Sequence, residues 1–231
     1  MRRVIIDAII PAYNEVGNVP FVLSDLKKTA VRNVFLVDNN STDGTGDAAR
    51  EHGAVVVKEP RQGYGAACLR GIAELNAQPE PADVVVFLDA DCSDDIESLP
   101  SLVGPILEDR ADMVIGSRAL GKREKGAMTP QQRFGNWLAT RMIWMMYRER
   151  FSDLGPFRAI RRSSLNTLGM EDQTYGWTVE MQVKAIRKQL RFTEIAVDYH
   201  KRRTGKSKVA GTFKGTIFAG YKIIATILKH S

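Results

Sequence analysis

Residues 84–95 read VVVFLDADCSDD. Five apolar residues, Val84 to Leu88, run straight into Asp89 and Asp91, and Asp94 and Asp95 follow. An unbroken apolar run of this length is the pattern of a strand buried on both faces of a sheet. Carboxylates crowded at the exit of such a strand repel one another, so a strongly positive partner is expected among them. The stretch predicts a central strand that delivers a charged site.

The pattern repeats on either side. VIIDAIIPA stops at Pro11, VFLVD covers Val34 to Asp38, AVVVK comes third, and MVIGS follows the central run. Helical periodicities lie between them: Val19, Val22, Leu23 and Leu26, then a segment ending near Gly53, then Ala66, Ala67, Leu69, Ile72 and Leu75. Such alternation predicts an α/β, doubly wound domain with a parallel sheet and its ligands at the carboxyl ends of the strands. Those ends carry PAYNE, DNNSTDGT, DADCSDD and GSR. Ser41 or Asp43 suits the cap of the second helix. Capping does not account for Asp38, Asp89 and Asp91, which sit directly at strand exits.

The 231 residues suit one domain, with a small appendage at most, and 44% hydrophobic with 26% charged residues is the balance of a soluble globular chain. MRRVIIDAII is short, is broken by Asp7 and lacks a small-residue cleavage pattern, so it reads as a first strand and not a signal peptide. Cys68 and Cys92 form neither a disulfide framework nor a metal spacing, which fits a reducing cytoplasm. Net charge is +6 but divided: residues 1–117 hold 10 Lys/Arg against 19 Asp/Glu, and residues 118–162 hold 11 against 3. Residues 199–231 hold 8 basic residues and no acidic one. An acidic front half suits a metal-assisted site; a basic back half suits phosphates or an anionic membrane surface. No nucleic-acid motif accompanies the basic segments, so nucleic acid is not the expected partner.

From Gly121 the rhythm changes. GKREKGAMTPQQ is a charged loop, and RFGNWLATRMIWMMYRER is amphipathic, with Trp137, Met142, Trp144, Met145 and Met146. That stretch reads as a core helix packed under the sheet edge, with a membrane-facing helix as the alternative. The C-terminal apolar part, Ile217 to Leu228, is interrupted by Lys222 and is shorter than the about 20 residues a membrane span needs. It predicts an amphipathic helix lying on a membrane surface, or preceding a span outside these residues. Two motifs mislead. TGKSK lacks the earlier P-loop glycine, since His200 stands there, and GYGAAC has Cys68 where a dinucleotide fingerprint needs its third glycine. His52, His200 and His230 show no ligand spacing.

Asp89 and Asp91, in D-x-D spacing at a strand exit, are hard oxygen donors able to share one Mg²⁺ or Mn²⁺ with diphosphate oxygens of a nucleotide substrate. With IIPAYNE, VDNNSTDGT, GYGAACLRGI, FLDADCSDD and IGSR in this order, the chain resembles glycosyltransferase family 2 and its GT-A fold. DLGPFRAIRR, YGWTVEMQVKA and KRRTGKSKVAGT make the second half similar to the polyprenyl-phosphate branch of that family, the dolichyl-phosphate mannose synthase type. The resemblance covers residues 1–212. It implies a nucleotide-sugar and metal half (1–118) and an acceptor half (119–212); residues 213–231, beyond it, are the appended amphipathic, membrane-associated helix read from their own sequence.

It also implies inverting transfer from a nucleotide sugar, GDP-mannose or a UDP-hexose, to a polyprenyl or dolichyl phosphate. Pro11, Tyr13, Glu15, Asp38 and Gly65 match nucleotide-sugar positions, with Asp38 on the nucleoside; Asp89 and Asp91 match the metal and diphosphate pair. Arg118, Arg133, Arg202, Ser207 and Lys208 match acceptor-phosphate contacts, and Asp91, Arg118, Arg202 and Lys208 are the expected catalytic set. Glu180 is expected to orient the sugar or a basic side chain. Two departures stand out: Asp94 and Asp95 replace a common His-Pro, and Gln132 replaces an expected serine near the matching Arg133 and Asn136. A phosphate acceptor is already anionic and needs positioning and charge stabilisation more than a base. The competing enzyme reading takes a sugar or lipid hydroxyl and needs a carboxylate base, Asp153 or Glu180. The non-enzymatic one is a sugar-nucleotide-binding scaffold assembled with a membrane-spanning partner. The implied location is the cytoplasmic face of a membrane, bound peripherally.

Overall fold

A computed structural model describes residues 4–205, 224–227 and 229. Among the described residues seven strands form one sheet: β1 (Ile6–Ala12), β2 (Val31–Asp38), β3 (Val55–Lys58), β4 (Val84–Phe87), β5 (Met113–Ser117), β6 (Arg158–Arg161) and β7 (Phe192–Ala196). Their order is β3-β2-β1-β4-β6-β5-β7. All neighbours run parallel except β6, which is antiparallel to both β4 and β5. The five apolar runs are β1 to β5. The sheet is therefore mostly parallel, and the departure is β6, whose RAIR sequence hides a strand because it begins and ends in arginine.

Alternate residues of each central strand enter different cores, as a doubly covered sheet requires. Ile9, Val85, Phe87 and Ile115 pack toward α3 (Tyr64–Asn76) and α7 (Trp177–Arg187). Ala8, Ile10, Val84 and Val86 pack toward α1 (Val19–Leu26) and α4 (Leu99–Leu107). Gly71 allows α3 to lie close on the sheet, since a Cβ there would stand 2.6 Å from Ile9 Cγ2. Asp7, which interrupts the first apolar run, is fully buried and accepts from Arg32 Nε (3.0 Å), Arg32 Nη2 (2.6 Å) and the Asn33 N–H (3.1 Å).

Two expectations are corrected. The N-cap position of α2 (Thr45–Glu51) is Gly44 at φ +89°, with no side-chain bond of its own; Asp43, one residue before it, accepts the Thr45 N–H (3.0 Å), and Ser41 serves another loop. The helix α5 (Pro130–Tyr147) is not a core helix: only Ala139 and Ile143 are buried, while Phe134, Trp137, Met145 and Met146 are exposed. Its apolar residues are spread around the helix, so one narrow stripe meets the domain. Among the described residues no helix is long and apolar enough to cross a membrane. Finally, much of 213–231 lies outside the described residues, but Thr226 and Ile227 are buried against the protein. The Tyr147 hydroxyl donates to the Ile227 carbonyl at 3.4 Å, and the Thr226 hydroxyl to Asp172 Oδ2 at 3.3 Å. The expected helix over 213–231 otherwise lies outside the described residues.

The Asp7 arrangement predicts that Arg32→Met destabilises the protein by about 2–3 kcal/mol, because it leaves a buried carboxylate without its cation. Urea unfolding measures it; an unchanged midpoint contradicts the account.

Candidate active site

The loops leaving β1 and β2 are knitted together. Asn14, at φ +53°, donates its N–H to Ser41 Oγ (3.0 Å), and its Oδ1 accepts the Thr42 N–H (2.8 Å). Thr45 Oγ1 accepts the Glu15 N–H (2.8 Å) and donates to Asp43 Oδ1 (2.5 Å), while Asp43 Oδ2 accepts the Val16 N–H (3.2 Å). STDGT is thus a clasp on the first loop. It brings Pro11, Tyr13 and Glu15 beside Asp38, which pairs with Ala12 across the sheet and turns the chain by accepting the Ser41 N–H (3.0 Å). Buried Asn39 holds the next loop, donating to the Glu59 (3.0 Å) and Arg61 (2.8 Å) carbonyls and accepting the Gly63 N–H (2.8 Å).

At the exit of β4 the acidic residues have separate tasks. Buried Asp94 accepts the Asp89 N–H (2.9 Å), Asp91 Oδ1 accepts the Ser93 N–H (3.0 Å), and Asp95 accepts the Ser98 hydroxyl. Asp94 is therefore a staple of the turn. Burial, then the charges of Asp94 and Asp91, push the Asp89 carboxyl well above the carboxylate range; burial raises Asp94 to about 7. Among the described residues no three His, Cys, Asp or Glu side chains converge as a metal site. Asp89 and Asp91 fit a divalent cation as a two-carboxylate seat: hard oxygens that repel each other, with the Asp89 carboxyl pushed up by burial. The other ligands would then be phosphates and water, the usual habit of Mg²⁺.

A strap, residues 199–204, crosses this seat. The His200 N–H donates to the Ser93 carbonyl (3.0 Å) and the Arg203 N–H to the Asp91 carbonyl (3.3 Å). Arg202 Nη2 reaches Asp91 Oδ2 (2.9 Å) and Glu15 Oε1 (3.1 Å), joining loops from β1 and β4 through one cation. Its Nη1 is buried and makes no hydrogen bond. Asn18, buried in the first loop, fixes the strap's end: its Oδ1 accepts the Thr204 N–H (2.9 Å) and hydroxyl (2.8 Å), and its Nδ2 donates to the Thr204 carbonyl (3.2 Å). Neither Asn18 nor Thr204 carries a signal in sequence, since both read as ordinary loop polars. Ser207 and Lys208 lie outside the described residues.

On the acceptor side, Arg118 is tied to Asp153 by its N–H (2.8 Å), Nε (2.7 Å) and Nη2 (2.8 Å). Arg133 stands exposed on α5 along a groove of about 470 Å³ that Arg123, Trp137, Ser152 and Asp153 also line. Asn136 spans residues 152–154, donating to the Ser152 carbonyl (3.1 Å) and accepting the Leu154 N–H (2.8 Å). Gln132, in the expected serine's place, completes a capping box with Thr129.

Gly65 and Glu180 both hold the 171–174 loop, and Glu180 also has the basic partner expected as one of its two roles. The Gly65 N–H donates to the Thr174 carbonyl (3.1 Å), and a Cβ on Gly65 would sit 2.0 Å from the Asp172 carbonyl oxygen, so this glycine permits close backbone packing. Fully buried Glu180 accepts the Glu171 (3.0 Å) and Asp172 (2.8 Å) N–H groups and pairs with Lys184 (2.8 Å). It orients a basic side chain and the loop that meets α3.

A sequence profile described as glycosyl transferase family 2 matches residues 7–169. The chain is 37% identical over 215 residues to an uncharacterized glycosyltransferase of Mycobacterium tuberculosis, covering 93% of this chain and 94% of that one. It is 29% identical over 218 residues to the undecaprenyl-phosphate mannosyltransferase of Micrococcus luteus, covering 90% and 88%. The crystal structure of glucosyl-3-phosphoglycerate synthase from M. tuberculosis with Mn²⁺, uridine diphosphate and phosphoglyceric acid superposes with a TM-score of 0.77 at 21% identity, over 98% of this chain and 78% of that one. At that identity the likeness concerns the fold.

The strap's anchoring makes Asn18→Ala informative. Losing its bonds to Thr204 should expose Lys201, Arg202 and Arg203 to trypsin roughly tenfold faster, while global stability falls by about 1–2 kcal/mol. A cleavage rate equal to that of the wild type would show that the strap is held some other way.

Proposed function

The chain belongs to glycosyl transferase family 2, with the GT-A fold, and on that footing we propose that it transfers a hexose from a nucleoside diphosphate sugar to a polyprenyl phosphate at a membrane surface. One observation carries the acceptor class. A hydroxyl acceptor needs a base, and the acceptor-side carboxylates that sequence offers, Asp153 and Glu180, are 1% and 0% exposed and committed to Arg118, Lys184 and backbone N–H groups. A lipid phosphate needs no base. The exposed Phe134, Trp137 and Met145 of α5, with Arg141 over the Trp144 ring at 4.2 Å, form the kind of arginine-flanked aromatic face that rests on anionic lipid. The similarity to an undecaprenyl-phosphate mannosyltransferase supports the same class.

In this reading Asp38 accepts hydrogen bonds from the nucleoside, and Pro11, Tyr13 and Glu15 wall its pocket. Asp89 and Asp91 would hold Mg²⁺ or Mn²⁺, whose charge would offset that of the departing diphosphate. A phosphate oxygen of the acceptor attacks the anomeric carbon from the face opposite the leaving group. The carbon–oxygen bond to the β-phosphate breaks, its electron pair leaves on the nucleoside diphosphate, and configuration inverts. Arg118, Arg133, Arg202 and Lys208, with the Ser207 hydroxyl, hold the two phosphates in line, so most of the rate comes from orientation and charge. Such a protein works as a peripheral one on the cytoplasmic face.

The test incubates the protein and Mn²⁺ with labelled UDP-glucose, GDP-mannose or UDP-N-acetylhexosamine, offering either a polyprenyl phosphate in detergent or phosphoglyceric acid. We expect metal-dependent label on the lipid from one donor. Arg133→Ala should raise KM for lipid phosphate about tenfold with donor affinity unchanged. Label on phosphoglycerate and none on lipid would overturn the acceptor class.

A further inference from the structure

Arg158 opens β6 and is fully buried. It pairs with Phe87 of β4 on one side and Ile115 of β5 on the other, between the strand that ends in Asp89–Asp91 and the strand that ends in Ser117–Arg118. Its Nε donates to the Gly155 carbonyl (3.1 Å), its Nη2 to the Leu154 (3.2 Å) and Gly155 carbonyls, and its Nη1 to the Thr178 carbonyl (3.0 Å). Among the described residues no carboxylate pairs with it. Burial lowers its pKa to about 10, so it stays charged at neutral pH with dipoles as its partners. A buried cation neutralised only by carbonyls is costly, and an apolar side chain of similar volume would fill the same space at less cost.

Its hydrogen bonds point to what offsets that cost. Leu154 and Gly155 directly follow Asp153, the residue that holds Arg118 through three bonds. Gly155 packs so closely that a Cβ would stand 2.8 Å from the Gly116 carbonyl oxygen, leaving the 153–155 turn little room. Gln182 of α7 donates to the Asp153 carbonyl (2.9 Å), and Thr178, the third carbonyl on Arg158, lies in the first turn of the same helix. Arg158 therefore bolts the 153–155 turn to α7 from below.

We propose that Arg158 is a positioning residue: by gripping the Leu154, Gly155 and Thr178 carbonyls it fixes Asp153, and through Asp153 it aims the Arg118 guanidinium at the phosphate of the reacting pair. The aim at a phosphate rests on the function proposed above; the grip on the Asp153–Arg118 pair does not.

The test uses Arg158→Met and Arg158→Lys in the full chain, with two readouts. By ¹⁵N-arginine NMR, the Arg118 Nε–H resonance (assigned with Arg118→Lys) should exchange with solvent at least about tenfold faster in Arg158→Met, and Arg158→Lys should restore part of the protection. By kinetics, kcat should fall roughly 30–100-fold while the donor-nucleotide Kd changes less than about twofold, since the hydrogen bonds of Arg158 go to Leu154, Gly155 and Thr178 and to no nucleotide-loop residue. Should Arg158→Met fail to fold, Arg158→Lys carries both readouts, because one ammonium cannot serve all three carbonyls. A folded variant with an unchanged Arg118 resonance overturns the inference. A shifted resonance with unchanged kcat overturns the assignment of Arg118 to a phosphate and leaves the grip standing.

Discussion

The crowding of carboxylates where β4 leaves the sheet is the constraint from which the site is built. Asp89, Asp91 and Asp94 share a poorly solvated turn, and burial with mutual repulsion pushes Asp89 well above the carboxylate range and Asp94 to about 7. Repulsion of that kind costs stability unless cations or N–H donors meet it. The chain answers it in two ways. Asp94 is turned inward to accept the Asp89 N–H, and Arg202 is brought from a distant part of the sequence to lie against Asp91 and Glu15. The second answer explains the strap, because a guanidinium holds that position only if the chain beside it is anchored, and Asn18 with Thr204 anchors it.

The division of charge along the sequence acquires a spatial meaning here. The acidic front half and basic back half meet at Arg202, and the strap lies on the acidic turn by backbone bonds to Asp91 and Ser93. The remaining basic residues are divided between jobs. Arg158 is consumed beneath the turn at Asp153 and Arg118 is held by that turn facing the site, whereas Arg133 and Arg123 line the open groove. Net charge alone would have treated these arginines alike. Burial separates the positioning cations from those available to an anionic ligand.

Much of this was legible in sequence, for a physical reason. A strand buried on both faces must be apolar throughout, so β1, β2, β4 and β5 and their polar exits stand out, and with them Asp38, Asp89 and Asp91. What sequence concealed were residues whose role depends on contacts with distant parts of the chain. Asn18 meets Thr204 across 186 positions. β6 escaped notice because Arg158, a buried strand residue, looks like surface. α5 was misjudged because Trp and Met imply a core as readily as an exposed apolar face, and only the packing distinguishes them. Gly65 and Glu180 both hold the 171–174 loop, a task that residue type alone does not reveal.

The central claim is that the β4 exit is a seat for positive charge, filled by a divalent cation when a nucleoside diphosphate arrives. Calorimetry of uridine or guanosine diphosphate with and without Mn²⁺, on the wild type and on Asp91→Asn, addresses it most directly. The account predicts that Mn²⁺ tightens binding at least about tenfold in the wild type and has almost no effect in Asp91→Asn, whose fold is intact because a strand-exit carboxylate is not core. Wild-type metal dependence in Asp91→Asn would contradict it.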